Sequence, residues 1–553
     1  MRGAIGIGWV GVIAPFVFQA VGIVRADDSW LVNRMPDDAF YYLEIARRMG
    51  HGQGFTFDGT HATNGFHPLW QVMLGALATI VPGQMAFVRV ALLAGLVCLL
   101  AALLLVIRLV WRMAGPGPAL SGALLVVHGT TALPNIVDGL EGAVLVLCLS
   151  VVATTLANFA ERPSSARAAL VGVASAFVVL ARLDMVVVIW LLPCAMALRT
   201  RNGRWIGWWL VGGMIGALWG VWFVVRYHHV LTTSATVKQA EMSAFVATFG
   251  GRLTSGFVNY ERVRGAEYVR SLLETATQSM VRGGGALSSI VGMALLALAF
   301  TPCVAWVRVR FGGRDEVIPN SNAATSQSLQ WSAFGFALLT TAVAIGAKAS
   351  FDLVNAPIWA DAWYKSSQYF AVPFAIGAGA WIGARMLARR WPPVGLAAFG
   401  AVAFVSLPLT AGLVIDTTSY PRHYNSWPDQ VDEAATWIRT NGPQGQYGAG
   451  NAGLLGYQLD GARDVVDLDG LVNNYEFATK LARGDSLPEL LAATGTDYYV
   501  DRITPSALQQ FPCATVLWTS SGLIPYPNPD GTTSNAPVHV LDVRECRKGA
   551  ASN

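Results

Sequence analysis

The stretch "MPDDAFYYLEIARRMGHGQGFTFDGTHATNGFHPLW", residues 35–70, carries two adjacent acids, Asp37 and Asp38, and two histidines, His61 and His67. A helix starting here uses one acid to cap its N-terminus or offset its dipole. A second acid beside the first adds a repulsion that raises one pKa or holds a cation. On this stretch alone, capping and chemistry weigh equally. Other charges border apolar segments: Asp138 and Glu141 in "NIVDGLEGA", Arg182 and Asp184 in "LARLDMV", Lys238 in "TTSATVKQA", and Asp361, Tyr364 and Lys365 in "DAWYKSSQY". Each has a plainer reading as an interfacial anchor or loop charge, and Arg182 with Asp184 as a local ion pair. Ionisable residues at membrane depth are nonetheless rare and by default mark function.

The elements that must position these residues are mostly apolar. Of 553 residues, 54% are hydrophobic and 13% charged, against about 25% charged in soluble domains. The pattern is that of an α-helical polytopic membrane protein. A net charge of +4 gives no reason to invoke nucleic acid. Residues 4–24 are long enough to span and lack the short core of a signal peptide. Further apolar segments lie near 86–110, 119–137, 141–160, 166–181, 184–199, 205–226, 286–307, 329–346, 366–387 and 394–415, about eleven helices in all. The run 68–82 is short and bounded by Pro68 and Pro82. If it does not cross, Arg2, Arg108 with Arg112, "ERPSSAR", "RTRNGR", "VRVRFGGR" and "RMLARR" share one side, as the excess of Lys and Arg in cytoplasmic loops requires. It therefore reads as re-entrant or interfacial. This puts the N-terminus in the cytoplasm, and two long loops, 25–67 and 227–285, on the outer face of the inner or plasma membrane. "PDDAFYYLEIARRM" has apolar residues at helical spacing and reads as an amphipathic helix at the membrane surface.

Two units follow: a transmembrane domain over 1–415 and an exported α/β domain over 416–553. In the second, "QYGAG", "DVVDLDGLV" and "TDYYVDR" read as strands, and "DQVDEAATWIRTN", "YEFATKLARG" and "LPELLAATG" as helices. Cys98, Cys148, Cys194 and Cys303 sit in apolar segments. Cys513 and Cys546 lie in the exported region, where an oxidising compartment makes a disulfide between them plausible.

Acids to move a proton and bases to hold an anion suit sugar transfer from a lipid-linked phosphate. A carboxylate takes the acceptor's proton, and Lys, Arg or a divalent cation stabilises the leaving phosphate. Phe40, Tyr41, Tyr42, Phe66 and Trp70 are candidates to line the sugar site, although interfacial anchoring is the commoner use of such rings.

At "PDDAFYYLEIARRMGHGQGFTFDG" and "TNGFHPLW" the chain resembles the polytopic GT-C glycosyltransferases that use polyprenyl-phosphate sugars, relatives of protein O-mannosyltransferases, aminoarabinose transferases and arabinofuranosyltransferases. "DGLEGA", "LARLD" and "VVDLDGLVN" look like later signatures of a bacterial branch. The resemblance implies inverting transfer to a hydroxyl on an extracytoplasmic glycan, lipid or protein acceptor. It implies an acid of the first outer loop as general base, mapping first onto Asp37 and second onto Asp38. Asp138 and Glu141 would then bind the sugar or support the base. Lys238, Lys365 and Arg182 are candidates for the donor phosphate, and Tyr41 and His67 for other substrate contacts. The resemblance fixes no cofactor, since dependence on a divalent metal varies across the superfamily. A divalent cation is an option, with Asp38 and His61 its candidate ligands; a structural role beside Pro68 is the plainer one for His67. A transporter or flippase for a lipid-linked substrate would also explain the helices and charges. It would not explain the acid pair or the exported domain, and no internal repeat points to it. An inactive glycan-binding homologue is the third reading.

Overall fold

The computed structural model describes residues 2–128, 136–252, 340–349, 365–390, 427–509, 511–527 and 533–550, with a few single positions between them. The N-terminal part is helical: α1 (Arg2–Arg25), α2 (Asp28–Arg34), α3 (Asp37–Gly50), α4 (Pro68–Ala78), α5 (Gln84–Ala114), α6 (Pro116–His128), α7 (Gly142–Glu161), α8 (Ser165–Ala181), α9 (Leu191–Thr200), α10 (Arg204–Tyr227), α11 (Thr233–Thr248) and α12 (Ser366–Arg390). Among the described residues, five segments are long and apolar enough to cross a membrane: Ile5–Arg25, Gln84–Ala114, Gly142–Glu161, Leu183–Thr200 and Arg204–Tyr227. The expected spans at 286–307 and 394–415, and half of 329–346, lie outside the described residues, as do Asp361, Tyr364 and the expected domain boundary at 415/416.

The outer side of α10 leaves Val211, Met214, Leu218 and Val225 exposed, a face that water would penalise and lipid would not. Its other side packs on α8. There the absence of side chains at Gly172 and Gly212 lets the backbones meet: a Cβ on either would collide with the carbonyl of Trp209 or of Ala169. Small residues at such contacts are how apolar helices approach closely in a bilayer. α4 has 11 residues, so its length of about 16 Å falls short of a hydrocarbon core.

The chain from Trp427 onward forms an α/β domain: α13 (Trp427–Asn441), β1 (Tyr447–Ala449), α14 (Gly453–Leu459), β2 (Val465–Asp467), α15 (Tyr475–Arg483), α16 (Leu487–Thr494), β3 (Tyr498–Arg502), β4 (Thr515–Thr519), β5 (Ile524–Pro527), β6 (Thr533–Ala536), β7 (Val538–Asp542) and α17 (Arg544–Ala550). The main sheet has the order β2-β1-β3-β7-β4, and β5 and β6 form a separate hairpin. β1 runs parallel to β2 and β3, with Tyr447 opposite Val465 and Tyr498. β7 is antiparallel to β3 and β4. β1 and β2 are buried throughout, as expected for strands covered on both faces. Val466, Phe477, Leu491, Leu541 and Val543 form one core. Val431, Ala435, Leu454, Tyr498 and Val540 belong to another that continues into α3 and α5 without a break. Cys513 and Cys546 are joined as a disulfide, with Cα atoms 5.0 Å apart.

That shared core changes the reading of α3. An amphipathic helix at the membrane surface should leave one face in water. Instead every residue from Ala39 to Ala46 is buried, because α4 covers one side and α14 the other. Phe40 packs on Tyr457 with ring centroids 5.6 Å apart. Arg47 and Arg48 reach Asp460 at 2.8 and 3.3 Å, tying the far ends of α3 and α14. Glu44 is enclosed beside Arg48 (2.8 Å), and burial raises its carboxyl to about 8.

Candidate active site

A cleft opens where the first outer loop, two helix turns, α11 and the C-terminal domain meet. Asp38, Tyr41, Tyr42 and Ile45 enter from α3, and Gly65, Phe66 and His67 from the loop before α4. Leu140 and Glu141 lie ahead of α7, and Arg182 ends α8. Ser234 and Lys238 come from α11, and Leu471 and Val472 from the loop after β2. Residues from distant parts of the chain thus surround one space with two acids, two cations, a histidine and the rings of Tyr41, Tyr42 and Phe66.

The first turn of α3 divides the acid pair. Asp38 lines the cleft. Asp37 turns away and accepts the Gly453 N–H (2.9 Å) and the Leu454 N–H (3.0 Å) through its two oxygens, with Trp427 Nε1 at 3.4 Å. Its burial, opposed by those N–H groups and reinforced by the charge of Asp38, raises its pKa to about 6. An acid at the start of α3 therefore does serve a helix N-terminus, but that of α14 instead of its own. Asp37, the residue onto which the base maps first, thus lies outside the cleft lining, with each oxygen accepting one backbone N–H.

Glu141 and Arg182 form a buried pair at 3.0 Å. Arg182 also donates through Nε to Asp184 at 3.2 Å, so the local ion pair expected from the sequence is one of two. His67 accepts the Leu183 N–H at Nδ1 (3.2 Å). The neutral ring therefore carries its hydrogen on Nε2, which faces Glu141 at 3.6 Å. Burial lowers the His67 pKa and favours that neutral form. The Tyr42 hydroxyl accepts the His67 N–H at 3.1 Å, and burial, with Glu141 nearby, raises the phenol well above its ordinary value.

The far wall is built by "DLDGLV". The Tyr41 hydroxyl donates to Asp469 at 2.8 Å and accepts the Ala452 N–H at 3.1 Å. Asp469 receives the Leu471 N–H (2.9 Å) and Asp467 the Val472 N–H (2.8 Å). These carboxyls therefore shape the loop that presents Leu471 and Val472. Burial and the neighbouring Asp467 charge push the Asp469 carboxyl well above the usual carboxylate range. Thr233 donates to the Leu471 carbonyl at 2.9 Å and its own N–H goes to Asn64 at 2.8 Å. This locks α11, the first loop and the C-terminal domain together.

Several expected site residues lie elsewhere. Asp138 is buried and accepts the Leu140 N–H at 3.0 Å, with its carboxyl raised to about 7 by burial. It shapes the turn that carries Glu141 and does not line the cleft. Lys365 stands immediately before α12, outside the cleft lining. His61 pairs with Asp58 at 2.5 Å within the loop, and that carboxylate raises its pKa. Phe40 packs on Tyr457, and Trp70 donates to the Gly139 carbonyl at 2.8 Å. Among the described residues, no three His, Cys, Asp or Glu side chains are grouped to hold a metal. Of the two candidate ligands, Asp38 lines the cleft and His61 does not. Sequence reasoning missed Ser234, Leu471 and Val472 in the wall, and the latch of Asn64 with Thr233.

No protein-family model and no curated protein matches the chain. Among solved structures, it is similar to the oligosaccharyltransferase of Archaeoglobus fulgidus in the apo form, at TM-score 0.47 and 14% identity, over 95% of this chain and 74% of that one. It is also similar to ArnT from Cupriavidus metallidurans bound to undecaprenyl phosphate, at TM-score 0.42 and 14% identity, over 96% and 98%. Fold likeness does not fix chemistry, which the residues of the cleft must carry.

Proposed function

We propose that this chain is a membrane glycosyltransferase that moves a sugar from a polyprenyl-phosphate donor to an acceptor hydroxyl on the outer face of the membrane, with inversion. One observation supports this most: a carboxylate, Asp38, and two cations, Arg182 and Lys238, line one cleft beside Tyr41, Tyr42 and Phe66. That inventory meets both needs of the reaction. Asp38 accepts the hydroxyl proton as the acceptor oxygen bonds to the anomeric carbon. The bond from that carbon to the phosphate oxygen breaks, its electron pair leaves with the polyprenyl phosphate, and Lys238 and Arg182 stabilise the charge that develops. Glu141 orients Arg182, and the neutral His67 holds its N–H toward Glu141. The C-terminal domain walls the cleft and excludes water, which strengthens every charge interaction inside. The α/β domain is thereby assigned a part in the site itself.

The test is turnover by the full chain in lipid, with a panel of radiolabelled polyprenyl-phosphate sugars and cell-envelope acceptor. Transfer from one donor, lost in Asp38→Asn with donor binding kept, supports the reading. Undiminished transfer by Asp38→Asn moves the base elsewhere, and failure of folded wild type with every donor overturns the reading.

A further inference from the structure

A row of alternating charges runs back from the cleft. Glu141 meets Arg182 at 3.0 Å, Arg182 meets Asp184 at 3.2 Å, and Lys348 Nζ reaches the same Asp184 oxygen at 3.0 Å. Lys348 is 2% exposed. It belongs to the helical residues 341–349, which place no side chain in the cleft lining. Arg182 does line the cleft. Two carboxylates on one guanidinium leave a net negative corner, which repels a phosphate. They also compete for the same cation: whichever acid lacks a second partner draws Arg182 harder. Lys348 supplies that second partner to Asp184, so Glu141, Arg182, Asp184 and Lys348 together are neutral and Arg182 stays aimed between its two acids.

We propose that Lys348 is a positioning residue of the cleft, acting through Asp184 to hold Arg182 where it can meet an anionic phosphate headgroup. This rests on the donor-phosphate reading above. Removing one buried charge of a pair leaves the other uncompensated. A unit charge left near a site of protein-like dielectric weakens anion binding by roughly tenfold or more.

The probes are undecaprenyl phosphate and, as the uncharged control, undecaprenol, titrated against the full chain in nanodiscs. Lys348→Met should weaken undecaprenyl phosphate binding about tenfold and leave undecaprenol unchanged. Lys348→Arg should retain affinity, and Lys348→Met with Asp184→Asn should recover it, because the corner is again neutral. A merely structural role would weaken the binding of both lipids alike. If Lys348→Met does not fold, Lys348→Gln replaces it, and the double variant is read against wild type. If wild type binds the phosphate but Lys348→Met binds equally well, loses both lipids alike, or gains nothing from Asp184→Asn, the positioning role is wrong and the donor reading stands. If wild type does not distinguish undecaprenyl phosphate from undecaprenol, the donor reading fails and takes this role with it.

Discussion

Asp37 accepts the backbone N–H of Gly453 at 2.9 Å, and residue 453 must be glycine for that approach, since a Cβ there would collide with the Asp37 carbonyl. The contact joins the first outer loop to the C-terminal domain across 416 residues of sequence. It also separates two neighbouring acids into different tasks: Asp37 binds backbone, and Asp38 is left facing the cleft.

The two isosteric variants should therefore fail differently. Asp38→Asn keeps size but removes the base, and should lower kcat by roughly 10²- to 10⁴-fold with little change in melting temperature. Asp37→Asn gives up one of its two acceptors and leaves a backbone N–H at the start of α14 unpaired. It should cost about 1–3 kcal/mol of stability and retain transfer in the folded fraction. Kinetics and thermal melts on both proteins decide it; the reverse pattern would return the base to Asp37.

The same contact should respond to pH. The Asp37 carboxyl has its pKa raised from 3.8 to about 6 in the fold. The native state thus binds this proton more tightly than the unfolded chain does. Its contribution to stability is fully present below pH of about 4 and is lost as pH rises through about 6. Glu44, raised to about 8 on the same interface, extends the loss to higher pH. Release of the C-terminal domain by limited proteolysis should therefore quicken between pH 5 and 8, and Asp37→Asn should flatten the lower part of that rise. A rate insensitive to pH in wild type would contradict this assignment.

Much of the site was legible because its residues stand at the borders of apolar runs. Asp38, Glu141, Arg182, Lys238, Tyr41 and His67 are all marked by charge or polarity where hydropathy ends, and all line the cleft. The partition of the acid pair was not legible, since the deciding partners, Gly453 and Leu454, are backbone groups in another domain. The burial of α3 was hidden for the same reason: periodicity shows that a helix has an apolar face, not that its polar face is also covered. Lys348 was not legible, because its partner, Asp184, is distant in sequence. In the C-terminal domain the strands at Tyr447, Val465 and Tyr498 were marked by short buried runs between helices. β4, an edge strand with exposed Thr515, Val516 and Thr519, lacks the alternation that reveals a half-buried strand.

The Cys513–Cys546 disulfide closes a loop of 33 residues. In the chain-entropy model such a loop is worth about 3–4 kcal/mol. Reduction, or Cys513→Ser with Cys546→Ser, should lower the melting temperature of the C-terminal domain. Transfer should be retained at temperatures where that domain stays folded, because neither cysteine lines the cleft. A melting temperature indifferent to reducing agent would reject the bond in the native protein.

Gly65 gives the sharpest test of whether the C-terminal domain belongs to the site. It lines the cleft, and a Cβ there would collide with the Leu471 carbonyl and lie 2.7 Å from Thr233 Oγ1. Both are backbone or short-side-chain atoms already held in place by the Thr233 to Leu471 hydrogen bond of 2.9 Å, so neither can yield cheaply. Gly65→Ala should force the first loop and the "DLDGLV" loop apart, at a cost of about 1–3 kcal/mol by analogy with overpacked cores. The α/β domain itself should remain folded, because its sheet and disulfide do not involve this contact. The expected result is faster proteolytic release of an intact C-terminal domain together with loss of transfer, since the wall formed by Leu471 and Val472 no longer closes the cleft. Loss of the wall contact with transfer unimpaired would mean that the domain only rests on the site, and that catalysis belongs to the helical part alone.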